Sequence, residues 1–326
     1  MLKVASKKSR TKEIEQIIAV QARPTGIMMV QTTYSESDAI NAVGQVLKDD
    51  WDRDDAQCAA ILNTNDSLSP LWYSPEGNLW VGSGRGNIYT TAKVKFQPHR
   101  MPTLVYEQPN PDFVWSVATL PDMKGKGFRP NATALWGTSD KDVWAGTFSG
   151  GIYHWDGKDW RQEFYELDSV INHIHGSGNS DVYAVGGDGV ILHFDGRKWR
   201  RIPYPDDDSE GRGLTGVRAL NSDEAIITGR DGRILHGNKN GMAVLGEFES
   251  EFYGVGVFKK RLFLAAGEDG VHELKGKKIS VLKDTFGSVG IFEADSRIFF
   301  TEPDQQEASV IEHDPKLDPP WMRRSY

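Results

Sequence analysis

The sequence predicts an all-β fold of four-stranded units closed into a ring, and three observations carry that prediction. One phrase recurs along the chain, it alternates apolar runs with glycine turns, and its copies return at a period of about 40 residues. The clearest copy is Ser180-Asp-Val-Tyr-Ala-Val-Gly-Gly-Asp-Gly-Val-Ile-Leu-His-Phe-Asp-Gly-Arg-Lys-Trp199. Its apolar run is interrupted at Gly187-Asp188-Gly189, resumes from Val190 to Phe194, and turns again at Asp195-Gly196 before Trp199. That pattern reads as strand, tight turn, strand, tight turn, strand. Residues 141–160 repeat it, sharing Asp142, Val143, Trp144, Gly150, Ile152, His154, Asp156, Gly157 and Trp160, and weaker copies lie at 77–89, 224–236 and 261–271. The turn glycines Gly150, Gly189, Gly232 and Gly270 fall 39, 43 and 38 residues apart. Four short strands at that spacing make one blade of a β-propeller.

In chain order, residues 1–12 are expected as a flexible basic lead. Residues 15–33, with the turn Arg23-Pro-Thr-Gly26 and a later apolar segment at 58–62, can be laid out as a degenerate first blade. The segment between them fits two readings. Ser35 or Ser37 caps a short helix through Ile40, Val43 and Val46-Leu47, or residues 39–47 supply a third strand. Blade two starts with an inner strand at 70–73 and ends with an outer strand at Trp115; an insertion at 93–113 explains the 64 residues from Gly86 to Gly150. Inner strands at 134–137, 172–175, 216–219 and 253–256 open blades three to six, with Trp160 and Trp199 marking outer strands. Residues 289–301 and 308–312 give a seventh blade with a stretched turn. The expectation is a seven-bladed β-propeller over 13–318 with a tail at 319–326, or six blades if 13–33 only supply closing strands.

These units, reading Asp-Val-Trp/Tyr-Ala-x-Gly, then Gly-x-Ile-x-His-x-Asp-Gly, then Trp, resemble seven-bladed propellers with irregular WD-like repeats, over about residues 13–315. They depart from WD repeats in that no Gly-His and Trp-Asp pair frames each unit; Trp155-Asp156 is a single instance in another context. The resemblance implies architecture, and function has to be argued from sites.

A chain of 326 residues would ordinarily suggest two domains, but repeat folds grow by adding units. The one cysteine, Cys58, excludes an intramolecular disulfide, and the first twelve residues lack an apolar signal core. A cytoplasmic protein without a membrane partner is expected. The formal charge of −8 disfavours nucleic-acid binding and favours a basic protein partner.

Chemical motifs are scarce. Asp188, Asp231 and Asp269 share one turn position, and Asp-Gly is the preferred pair of a two-residue hairpin, so a structural role outweighs a Ca²⁺ ring. His154, His193 and His236 share a third-strand position in separate blades, too far apart to ligate one zinc ion. No nucleophile elbow, metalloprotease helix or phosphate loop is present, so no catalytic residue, metal or cofactor is expected. Trp72 with Trp136, Trp80 with Trp144, and Trp115 with Trp160 and Trp199 recur as inter-blade packing. His173 and His175 point the same way on an inner strand.

Function is therefore expected on loops. The connections into blades three and five share a face with the second-to-third-strand turns, and loops on a rigid scaffold are where binding concentrates. Candidate partner-binding residues are Lys124, Lys126 and Arg129 in the basic connection, Asp206, Asp207, Asp208 and Glu210 in the acidic one, and Trp51 amid Asp49, Asp50, Asp52, Asp54 and Asp55. The first expectation is a non-catalytic protein-binding module, in its specific form an inhibitor or immunity protein for a basic toxin or nuclease. The alternatives are a propeller enzyme with an axial site built from His175, Arg218 and Glu293, or a carbohydrate or small-ligand binder in the central channel.

Overall fold

The computed structural model describes residues 14–23, 26–34, 39–47, 58–96, 106–124, 129–164, 168–205, 212–293, 297–303 and 309–325. Among the described residues, seven antiparallel sheets succeed one another, each with four blade strands, the first carrying a short fifth strand at its edge. The inner strands are Ile14–Arg23, Leu68–Tyr73, Ala132–Ser139, Ile171–Gly178, Leu214–Asn221, Gly254–Phe258 and Gly290–Glu293. Each touches the next, and the first lies against those of both blade two and blade seven, which closes the ring.

Two open readings are decided here. Residues Ala39–Leu47 are a strand paired along its whole length with Gly26–Tyr34, so blade one is complete, and the six-blade and helix alternatives fall away. The insertion of blade two lies between its third and outer strands and lends Tyr106–Glu107 to the edge of blade one. One boundary is corrected. Part of the expected tail, Trp321–Ser325, is the outer strand of blade seven, paired with Ser309–His313. Its Trp321 packs on Phe300 and stacks on His313, occupying the place that Trp160 and Trp199 hold in their blades. The stretch at 314–320 replaces the Asp-Gly turn that announced those strands. The expected lead at 1–12 lies outside the described residues.

Neighbouring blades are joined by a repeated aromatic slot. Trp80 on the second strand of blade two reaches Trp155 and Trp160 of blade three, and Trp144 of blade three reaches Phe194 and Trp199 of blade four. Tyr183 clusters with Met242, and Phe263 with the His313–Trp321 end of blade seven, in the same manner. Large rings in a fully buried slot combine hydrophobic burial with edge-to-face contact. The last joint has a single ring, with Phe299 and Val310 of blade seven against Ile17, Val20, Ile27 and Met29 of blade one.

The turns refine the hairpin expectation. At Asp188-Gly189 both residues have positive φ, 52° and 62°, and Val190 N–H donates to Gly187 C=O, as a two-residue turn of primed type requires. At Gly232 and Gly270 the glycine is left-handed while the aspartate before it is not, and the glycine N–H donates to the carbonyl three residues earlier. Asp231 and Asp269 thus occupy ordinary type I positions, one residue before the glycine.

Gly189→Val should lower stability by about 1–3 kcal/mol, because a β-branched residue is held at positive φ. Thermal unfolding at the parent's midpoint would contradict the turn assignment.

Candidate functional site

Two surfaces offer chemistry: the loop-rich face and the central channel. The face is built by stitching. Backbone N–H groups of Gly84, Phe148, Gly187 and Arg230, in the second-to-third-strand turns, donate to Ser67, Asn131, Val170 and Gly213, which lead into the inner strands of the same blades. Turns and connections therefore form one surface, as the sequence predicted.

Charge on that surface is divided. Over blades two and three the exposed residues include Arg85, Lys124 and Arg129, with Asp122 beside Lys124, and the turn-tip ring of Phe148 is 62 % exposed. Over blades four to six the exposed residues are Asp168, Asp188, Glu249, Glu251, Glu268, Asp269 and Asp284. Two arginines answer part of that charge: Arg230 pairs with Glu251 at 3.2 Å, and Arg212 with the half-buried Asp231 at 2.7 Å. Of the residues expected to bind a partner, Lys124 and Arg129 lie exposed on this face. Lys126, Asp206, Asp207, Asp208, Glu210 and Trp51 lie outside the described residues. The strand ends that bracket Trp51, at Leu47 and Ala59, open on the opposite face.

The repeated histidines are committed within their own blades. His154 Nε2 lies 2.6 Å from Asp142 and His193 Nε2 lies 2.7 Å from Asp181, while Thr138 and Ser177 donate to the same carboxylates. His236 meets Glu224 at 3.1 Å. Trp144 stacks on His154 with ring centroids 3.9 Å apart. These groups tie second strand to third, far from the axis.

From blade three to blade seven the channel is lined by side chains that bond to the exposed backbone edge of a neighbouring inner strand. Thr133 Oγ1 donates to Ile171 C=O at 2.6 Å, Asn172 Nδ2 to Leu214 C=O at 2.7 Å, and Thr215 Oγ1 to Phe252 C=O at 2.6 Å. His173 and His175 accept at Nδ1 from Val217 and Ala219 N–H, both at 3.3 Å. Glu293 accepts from Val257 N–H at 2.5 Å and pairs with Arg218 Nη2 at 2.6 Å. The structure thus brings together His175, Arg218 and Glu293, the trio expected of an axial site. It adds the polar caps that sequence reasoning missed. Their signal was periodic: Thr133, Asn172 and Thr215 stand at one repeat position, four residues before Gly137, Gly176 and Ala219.

Burial, and then Arg218, lowers the His173 pKa from 6.5 to about 4 and holds His175 well below its ordinary range. Burial raises Glu293 above the usual carboxylate range, against the pull of Arg218. Because the folded state binds fewer protons at His173 than the unfolded state, its contribution is complete above pH 6.5 and is lost as pH falls toward about 4. The parent's melting temperature should therefore drop more steeply across that window than that of His173→Gln. Parallel pH profiles would contradict the assignment.

No protein-family model matches the chain, and no curated protein matches it in sequence. Its fold is shared with solved propellers of remote sequence. The C-terminal WD40 domain of Sif2 superposes with a TM-score of 0.62 at 11% identity, covering 97% of this chain and 87% of that one. The WD40 propeller domain of Doa1 gives 0.60 at 12% identity, covering 90% and 94%. YCF48 bound to D1 peptide gives 0.56 at 10% identity, covering 80% and 82%. With these likenesses beside its own sheets, the chain is a seven-bladed β-propeller of WD-like architecture.

Proposed function

We propose that this chain is a non-catalytic binding module whose loop-rich face takes a protein partner, with the acidic sector over blades four to six receiving a basic surface. The observation that carries the reading is the gathering of exposed carboxylates in the loops of three adjacent blades, Asp168 and Asp188, then Glu249 and Glu251, then Glu268, Asp269 and Asp284. Such a field speeds encounter with a cation-rich partner and sets its orientation more than it deepens final affinity. Propellers of the WD40 class often mediate protein binding, and the same fold occurs in YCF48 bound to D1 peptide. The narrower form of the reading is an inhibitor or immunity protein that neutralises a basic toxin or nuclease, for which fast capture is the useful property. The lone cysteine suits a reducing compartment, and we place the module in the cytoplasm.

The test is charge reversal on a surface the fold does not use. Among the described residues, Glu249, Glu268 and Asp284 are exposed and engaged by no hydrogen bond or ion pair. The triple variant Glu249→Lys, Glu268→Lys, Asp284→Lys should keep its melting temperature and associate more slowly with the protein that co-purifies from the native source. The deficit should shrink as salt shortens the screening length to about 8 Å at physiological ionic strength. An unchanged association rate at low salt would remove the acidic sector from the interface.

A further inference from the structure

The channel contains a half-open cavity of about 550 Å³ to which all seven inner strands contribute, within the range of roughly 300–1,000 Å³ seen for small-molecule sites. His173 and His175 spend Nδ1 on backbone N–H groups, which leaves the proton of each neutral ring on Nε2. Among the described residues no protein group bonds either Nε2, although both residues line the cavity. Arg218 has five N–H donors and uses one of its two terminal nitrogens on Glu293. Trp136 lies beside His175 with ring centroids 5.6 Å apart, and among the described residues its indole N–H has no acceptor. Both carboxylate oxygens of Glu293 are engaged, one by Val257 N–H and one by Arg218. The amide oxygens of Gln21 and Asn172 also line the cavity, but the groups around Arg218, His173, His175 and Trp136 are open donors, and a ligand that complements them has to bring acceptor oxygens.

We propose that the channel binds a small organic anion whose carboxylate or phosphate oxygens accept from His173 Nε2–H, His175 Nε2–H and Arg218, with its carbon skeleton over Trp136. The two imidazoles stand two residues apart on one strand, roughly 7 Å along it, so an anion with oxygens at both ends can engage both. A guanidinium and neutral imidazole donors in a confined site form stronger bonds to a charged acceptor than to a neutral one. Burial keeps both rings neutral, so the site presents donors at neutral pH with Arg218 as its one cation among these groups. Glu293 is the internal competitor: it holds Arg218 until a ligand oxygen takes its place. This inference does not rest on the loop-face reading, because the channel residues and the loop carboxylates are separate sets.

The experiment titrates the full chain, labelled with ¹⁵N in histidine, with succinate, with glycerol phosphate and with uncharged glycerol. The ring resonances of His173 and His175 are followed, assigned through His173→Gln and His175→Gln. Saturable shifts of both rings are expected with at least one anion and not with glycerol, and the anion that acts separates carboxylate from phosphate recognition. Affinity should weaken about tenfold in Arg218→Gln, the value of one charge-assisted hydrogen bond, and strengthen in Glu293→Gln. Should Arg218→Gln fail to fold, Glu293→Gln decides alone. The proposal is overturned if neither anion gives a saturable shift, if glycerol acts equally, or if affinity is the same in parent and folded variants.

Discussion

Each inner strand presents an unpaired backbone edge to the axis of the ring, and those edges have to be satisfied where seven sheets converge. A buried amide left without a partner costs about as much as a lost hydrogen bond, so side chains that cap the edge next door stabilise the closed ring. Thr133, Asn172 and Thr215 do this for the carbonyls of the following blade, and His173, His175 and Glu293 do it for amides. The caps couple blades that share no strand. They also decide what the channel can do, because a histidine that spends one nitrogen on a neighbour's backbone turns the other toward the cavity.

Around this polar centre aromatic slots join blade two to blade three and blade three to blade four. Trp80 and Trp144 are almost wholly buried, and each contacts two rings of the next blade. The inner strands come close enough for this only where side chains are missing. A Cβ at Gly176 would stand 2.7 Å from the Trp136 ring, and one at Gly137 would stand 2.9 Å from Trp72. The joint between blades seven and one lacks the indole pair and relies on Phe299 against Ile17, Val20, Ile27 and Met29.

The blade count, the inner and outer strands and the inter-blade tryptophans were legible in the sequence because a repeated packing problem selects the same residue types at the same spacing. Blade one was less legible: its strands are long and carry no Asp-Gly turns, so periodicity alone left residues 39–47 open to a helix. Trp321 was missed as an outer strand because its turn is built by 314–320 in place of the repeat's motif. At the channel, His175, Arg218 and Glu293 could be named from their strand positions. Their pairing could not, since Arg218 and Glu293 lie 75 residues apart and meet only through ring closure. The caps were hidden for another reason: threonine and asparagine at the start of a strand look like ordinary turn chemistry until a neighbouring blade is in place.

Channel and loop face divide the molecule's chemistry. The first is recessed, carries open donors and is built from residues that also hold the ring together. The second is open, charged and free to vary without loss of the fold, which is the usual separation between a scaffold and the loops it displays. The acidic sector of this face is the proposed docking surface for a protein partner. Hydrogen exchange of the chain, alone and in complex with its co-purifying partner, tests it most directly. Protection should appear at 168–170, 187–189, 249–253 and 267–270. Protection confined to the opposite face, around 140–141, 156–159 and 195–198, would contradict it.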